Sequence, residues 1–219
     1  AEYHLSHQCA NGKGVYSFCM CPGGYVVDGS SMPNTIVTNG MSYAARDGKQ
    51  ANSAIVVQVD STDFGTNLFG GMDFQEFLEH QAWKLGKGKA PAQRIANFLD
   101  PASDALPKEV IPTFPRQTTL VDMHALFNPA INAALQEFFQ YAESVWPGFS
   151  LSDGMMTGVE TRTSSPLRIL RHPDTLESNL KGLWPAGEGA GFAGGIVSSA
   201  IDGLKCAEEI IRRYAPSAK

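Results

Sequence analysis

The densest chemical signal in the chain is Gly187-Glu188-Gly189-Ala190-Gly191-Phe192-Ala193-Gly194-Gly195. It lies between an apolar run, Gly182-Leu183-Trp184-Pro185-Ala186, and a long amphipathic stretch that opens at Ile196. A glycine-rich turn leading into a helix suits an electron-rich ligand. The helix N-terminus leaves N–H groups unpaired and carries partial positive charge, and glycine lets the backbone approach closely. Residues Gly189 to Gly194 fit the spacing G-x-G-x-x-G. A dinucleotide fingerprint, however, opens a βαβ unit, with an acid about 20 residues further on. Here the helix runs into Ala215-Pro216-Ser217, with no second strand. The turn is expected to close a nucleotide-binding domain, not to open one.

The other reactive groups are thiols and a guanidinium. Cysteines stand at 9, 19, 21 and 206. Cys19 and Cys21 are too close in sequence for good disulfide geometry and have no zinc spacing around them. Reduced thiols are expected. The alternation Val15, Ser17, Cys19, Cys21 puts both on one strand face, either as inert buried thiols or as redox-active ones. The histidines at 4, 7, 80, 124 and 172 form no ligand spacing, so no metal is expected. Arg162, Ser164 and Ser165 read as polar groups of a loop satisfying its own backbone bonds.

Positioning these residues requires strands early and helices later. Val15–Met20, Tyr25–Val27, Thr35–Thr38 (ending in a turn at Asn39-Gly40) and Ala54–Val59 read as strands, the last too apolar for a sheet edge. Asp73 to Glu76 reads as a capping box opening a helix that ends at Gly86, with Phe74, Phe77, Leu78 and Leu85 on one face. Pro91–Leu99 reads as a short helix, and 100–120 as a proline-rich loop. Asn128-Pro129 caps a helix that ends before Pro147. Gly158–Thr163 and Leu167–Leu170 read as a strand pair, and 182–186 as a buried strand. In the last helix Ile196, Ala200, Leu204, Ala207 and Ile211 form the expected buried stripe, with Glu208–Arg212 and Glu209–Arg213 as surface pairs. Gly203, costly in mid-helix, suggests a closely packed neighbour, inside this chain or beyond it.

The composition is that of an ordinary globular protein: 43% hydrophobic, 18% charged, net charge −5. No basic cluster points to nucleic acid, and no apolar run is long enough for a bilayer. The opening Ala1-Glu2-Tyr3-His4 has no leader pattern, so a cytoplasmic protein is expected.

The C-terminal segment, together with Phe18-Cys19-Met20-Cys21-Pro22-Gly23-Gly24, Thr38 to Gly48, and Gly158 to Pro166, resembles uncharacterised bacterial FAD-dependent dehydrogenases, a two-domain flavoprotein oxidoreductase family. The resemblance implies an α+β fold: a substrate or cap-like region over 1–150, then the C-terminal strand–glycine turn–helix of a FAD-binding domain over 151–219. It implies FAD at Gly187, Glu188, Gly189, Gly194, Gly195 and Ile196. Glu188 would bind the ribityl chain or lie near the pyrophosphate. The N–H groups of Gly194, Gly195 and Ile196 would face the flavin pyrimidine. Arg162, Ser164 and Ser165 would face the flavin or substrate cleft, as would Arg46, Asp47 and Asn52 where they do not simply serve a loop or turn, with Cys19, Cys21 and Arg162 as weak catalytic candidates. The family's N-terminal ADP-binding fingerprint is absent, so the chain reads as the C-terminal part of a longer enzyme, inactive and FAD-free by itself. The expected partners are a small-molecule substrate and the missing nucleotide-binding domain. The alternatives are a non-catalytic binding module, or a flavoprotein with a modification or regulatory role.

Overall fold

A computed structural model describes residues 4–103, 110–149 and 154–215. The fold is mixed α+β. A three-stranded antiparallel sheet has the order β1 (Ser6–Gln8), β2 (Gly14–Cys21), β5 (Asn52–Val57). A hairpin-like pair joins β3 (Gly24–Asp28) and β4 (Thr38–Ser42). After the short helix α1 (Ser61–Phe64) comes α2 (Gly70–Leu85), then β6 (Ala90–Arg94) and α3 (Ile95–Leu99). β6 lies between parallel β7 (Thr118–Leu120) and antiparallel β8 (Met155–Thr157). The long helices α4 (Pro129–Val145) and α5 (Ile196–Tyr214) complete the described elements.

The core collects where α2, α3 and α4 meet the sheets. Phe98 and Phe138 are fully buried, with Ile36, Val15, Met123, Leu135 and Val159 in the same cluster. Asn128 caps α4 by accepting from Ile131 N at 2.9 Å, and Pro129 occupies the first turn, where no N–H is needed. The segment before β4 threads through this core: Ile36 N donates to Glu79 O and Thr38 N donates to Val159 O.

Several local readings give way to tertiary structure. Asn39-Gly40 is not a turn; it lies inside β4, paired with Val27 and Val26. Glycine is needed at 40 because a Cβ there would lie 2.3 Å from Asn52 Oδ1 and 3.2 Å from Cys21 Sγ. β5 is a sheet edge, but each of its residues is half-buried because it walls a cavity. Helix α2 starts at Gly70, before the expected capping box. The observed box is on α1, where Asp60 and Asp63 cap reciprocally. Phe77 is exposed, and Leu78, Glu79 and Ala82 form the buried face of α2. Residues 91–94, expected as the start of a helix, belong to β6, the central strand of the third sheet, because two neighbours supply ladder bonds there.

No strand pair forms at 158–163 and 167–170, and none at 182–186. A strand needs a neighbouring ladder, and none reaches these segments among the described residues. The expected stripe of α5 is also not buried: Ile196, Ala200, Leu204, Ala207 and Ile211 are all exposed, and Cys206 faces inward instead. A Cβ at Gly203 would meet nothing within 4 Å. The last-turn arginines pair differently from expectation, Arg212 with Glu209 and Arg213 with Glu177. The expected boundary at 150/151, part of the 100–120 loop, and Pro216-Ser217 lie outside the described residues. Residues 155–159 pack with the N-terminal region through β8 and Val159. No described helix is long and apolar enough to cross a membrane.

Candidate functional site

The glycine turn is shaped by a charge pair. Arg171 donates to Asp202 Oδ1 at 2.6 Å and to Oδ2 at 3.0 Å, and Asp202 Oδ2 also accepts from Gly187 N at 2.8 Å. Arg171 further donates to Pro185 O at 2.6 Å and lies over the Phe192 ring at 3.6 Å. Hydrogen bonding from Arg171 holds the Asp202 carboxyl below the usual carboxylate range. Thus one carboxylate on α5 fixes the Pro185-side entry of the turn. Gly187 (φ 71°) and Gly191 (φ 81°) take the left-handed backbone that a side chain resists. Gly191 also lies against backbone: a Cβ there would sit 2.3 Å from Leu167 O.

The part of the turn leading into α5 is open. A Cβ at Gly189 or Gly194 would meet nothing within 4 Å, and at Gly195 only Ser198 Oγ at 3.4 Å. Gly195 is the N-cap of α5 and offers no side-chain cap. The first N–H groups of a 19-residue helix therefore point out unpaired by side chains, which fits an anionic or electron-rich edge. Gly195 is extended (φ −157°), so no positive φ calls for glycine there. Glu188 opens a short 3₁₀ turn and is half-buried.

Residues 161–171 tie this turn to the N-terminal region. Ser165 Oγ reaches Gly189 O at 3.3 Å, Arg168 donates to Gly191 O at 2.8 Å, and Ile169 N donates to Ala190 O. On the other side, Arg162 donates through Nε (2.6 Å) and Nη2 (2.8 Å) to Glu79, whose side chain is fully buried. Thr161 Oγ1 donates to the same carboxylate at 2.7 Å. The guanidinium of Arg162 is therefore engaged in anchoring its loop to α2. Gln75 adds a bond to Thr161 O, and Pro166 packs so closely on Gly71 that a Cβ there would meet it at 2.9 Å.

Beside this joint lies a cavity of about 860 Å³. Its walls include Ile55, Phe74, Leu135 and Met156, with Asn52, Glu160 and Ser164 as polar groups. An apolar hollow of this size with a few polar groups is the usual form of a small-molecule site. Burial pushes the Glu160 carboxyl up to about 7, so it can hold or release a proton near neutrality. Asn52 Nδ2 is buried without a hydrogen-bond partner.

The cysteines meet this place from β2. All four cysteines are free thiols. Strand β2 slips register between Phe18 and Cys21, and Cys19 takes φ 45°, so the expected alternation ends at Ser17. Cys19 is exposed and Cys21 half-buried, with Cys21 Sγ donating to Cys19 O at 3.2 Å. Neither is the fully buried thiol of the inert reading. Burial raises both thiols; at Cys19 the carboxylates of Glu160 and Glu188 add to this, at Cys21 that of Glu160. Glu188 of the glycine turn, Glu160 of the cavity and the Cys19 thiol are therefore electrostatic neighbours. Arg171 and Asp202 carry no local motif, and only long-range packing brings them here; Glu160 lies in the 158–166 segment and Asn52 among the cleft candidates, but their place at the cavity also comes from packing. Asp202, on the polar side of α5 and 15 residues after Gly187, is the nearest thing to a sequence signal.

A family model described as "FAD-dependent protein, C-terminal domain-like" matches residues 1–163. An uncharacterized protein of Clostridium beijerinckii (strain ATCC 51743 / NCIMB 8052) is 44% identical over 218 residues, covering 98% of this chain and 41% of the relative. The chain thus spans less than half the length of that relative.

Proposed function

The chain belongs to the FAD-dependent protein C-terminal domain-like family, and from that premise we propose that it is the C-terminal part of a FAD-dependent oxidoreductase. The carrying observation is the uncapped N-terminus of α5, set on an open glycine turn beside a cavity with an ionisable carboxyl. Gly194, Gly195 and Ile196 would hold the electron-rich edge of the flavin through their N–H groups, and Gly187, Glu188 and Gly189 would border its chain. Bound flavin supplies hydride or electron transfer.

The chain's own residues do the rest. The cavity would take a small substrate with an apolar body. Asn52 would donate a hydrogen bond to a substrate oxygen, and Glu160 would give or take the proton that accompanies the redox step. The apolar walls would exclude water from that exchange. Cys19 and Cys21 flank Met20, which lines the cavity, and would act as contacts or as secondary redox groups. The exposed apolar side of α5 would receive the nucleotide-binding remainder of the longer protein, which would supply most of the FAD affinity.

The test is Gly195→Val in the full-length protein. A β-branched side chain there blocks backbone approach while leaving the extended φ attainable. The expected result is a lower flavin-to-protein ratio with an unchanged circular dichroism spectrum. Unchanged occupancy would remove the turn from the flavin site.

A further inference from the structure

His7, Cys9 and Glu137 are far apart in sequence and meet in the fold, with one ligand atom from each lying within 4.8 Å of the others. His7 is on β1, Cys9 follows that strand directly, and Glu137 comes from the middle of α4. His7 Nε2 lies 2.9 Å from Glu137 Oε1. Ala10 N donates to both Glu137 oxygens at 3.1 Å and so holds the carboxylate in place. The His7 ring is stacked on Tyr141, with centroids 4.3 Å apart, which fixes the direction of its nitrogen. Cys9 is buried and, as a thiol, has only a long contact to Ala134 O at 3.6 Å.

We propose that these three residues bind a divalent transition metal of the zinc type. A bare His–Glu ion pair explains two of the groups but not the buried thiol within 4.8 Å of both. Thiolate, imidazole and carboxylate together suit zinc and exclude magnesium or calcium, which take oxygen ligands. The held carboxylate and the stacked ring are the outer supports such ligands need. On binding, the Cys9 S–H bond breaks, its proton goes to solvent, and the sulfur lone pair forms the metal–sulfur bond. No oxidation state changes. Three protein ligands leave a fourth position for water. The site is separate from the cavity, which is lined by Leu135 and Phe139 of the same helix and not by Glu137.

The experiment titrates metal-free full-length protein with Co²⁺ as a spectroscopic probe, then with Zn²⁺. The expected result is equimolar binding, a thiolate-to-cobalt charge-transfer band, four-coordinate visible absorption, and displacement by Zn²⁺. Cys9→Ser abolishes the charge-transfer band. His7→Ala and Glu137→Gln, at partly exposed positions that tolerate change, each weaken binding at least by the roughly 10–100-fold that loss of an outer support costs. Cys19→Ser/Cys21→Ser keeps the band. No charge-transfer band in the wild type, a band that survives Cys9→Ser in folded protein, or one lost with Cys19 and Cys21 would overturn the site. So would unchanged affinity in both His7→Ala and Glu137→Gln.

Discussion

The N-terminal region and the last helix obey the same amphipathic rule with opposite results. Phe98, Phe138 and Ala142 are at 0% exposure, whereas Ile196, Val197 and Ile211 stand at 88%, 71% and 66%. Both α4 and α5 carry an apolar stripe at helical spacing. In α4 the stripe meets α3, β2 and β5. In α5 the helix is held from its other side, by Asp202 to Arg171, by Cys206 beneath Pro185, and by Tyr214 against Trp184. A stripe states that a helix expects a partner. It does not state that the partner lies in the same chain. Each isoleucine left in water forgoes about 1.5–3 kcal/mol of burial, so several on one helix make an apolar surface that gains from being covered.

The largest effect that could break this contrast is in α4. Phe138→Ala should cost about 3–5 kcal/mol by urea denaturation, because the emptied space is walled by Phe139, Tyr141 and Phe149. A cost below about 1 kcal/mol would mean that the N-terminal core is not closed. Next comes the joint. Arg162→Ala strips Glu79 of its cation and leaves Thr161 as its remaining side-chain donor among the described residues, with an expected loss of roughly 3 kcal/mol. If instead stability is unchanged, residues 161–166 are not anchored to α2 and the two regions are more loosely joined than the hydrogen bonds suggest.

How much of this the sequence shows depends on the range of the interactions. Helix α4 is legible because its cap, its proline and its stripe are local. The glycine turn is legible for the same reason. β6 is not, because Pro91-Ala92-Gln93-Arg94 becomes a strand only when β7 and β8 flank it. The 182–186 run has strand composition but no ladder partner among the described residues. The candidate site divides in the same way. Gly187 to Ile196 can be found from spacing. Glu160 and Asn52 acquire meaning from a cavity, and His7 meets Glu137 across 130 residues.

A smaller effect sharpens the place where the regions meet. Glu160 titrates at about 7, above its ordinary value of 4.5. The folded state therefore holds a proton that the unfolded chain has released between those values. Stability should fall as pH rises from about 4.5 to about 7 and level off above. Glu160→Gln should flatten that segment and raise stability above neutrality by about 1–2 kcal/mol, since partial solvent access screens the full penalty. Urea midpoints across pH for the two proteins check it. A variant with the wild-type slope would assign the slope to other groups.

The smallest expected change is the most discriminating. Leu204 lies mid-helix on the open side of α5, 65% exposed. In the 219-residue chain, Leu204→Ala should alter stability by less than about 0.5 kcal/mol, because little burial is lost and alanine is the better helix former. In the full-length protein the same change should cost about 2–5 kcal/mol, the ordinary cost of emptying a buried leucine site. Paired urea denaturation measures both. Near-zero cost in both proteins would leave α5 uncovered even in the intact molecule, and its stripe would then need a partner other than the rest of the same chain. A large cost in the short chain would mean that α5 folds back on its own region, and the contrast between the two helices would disappear.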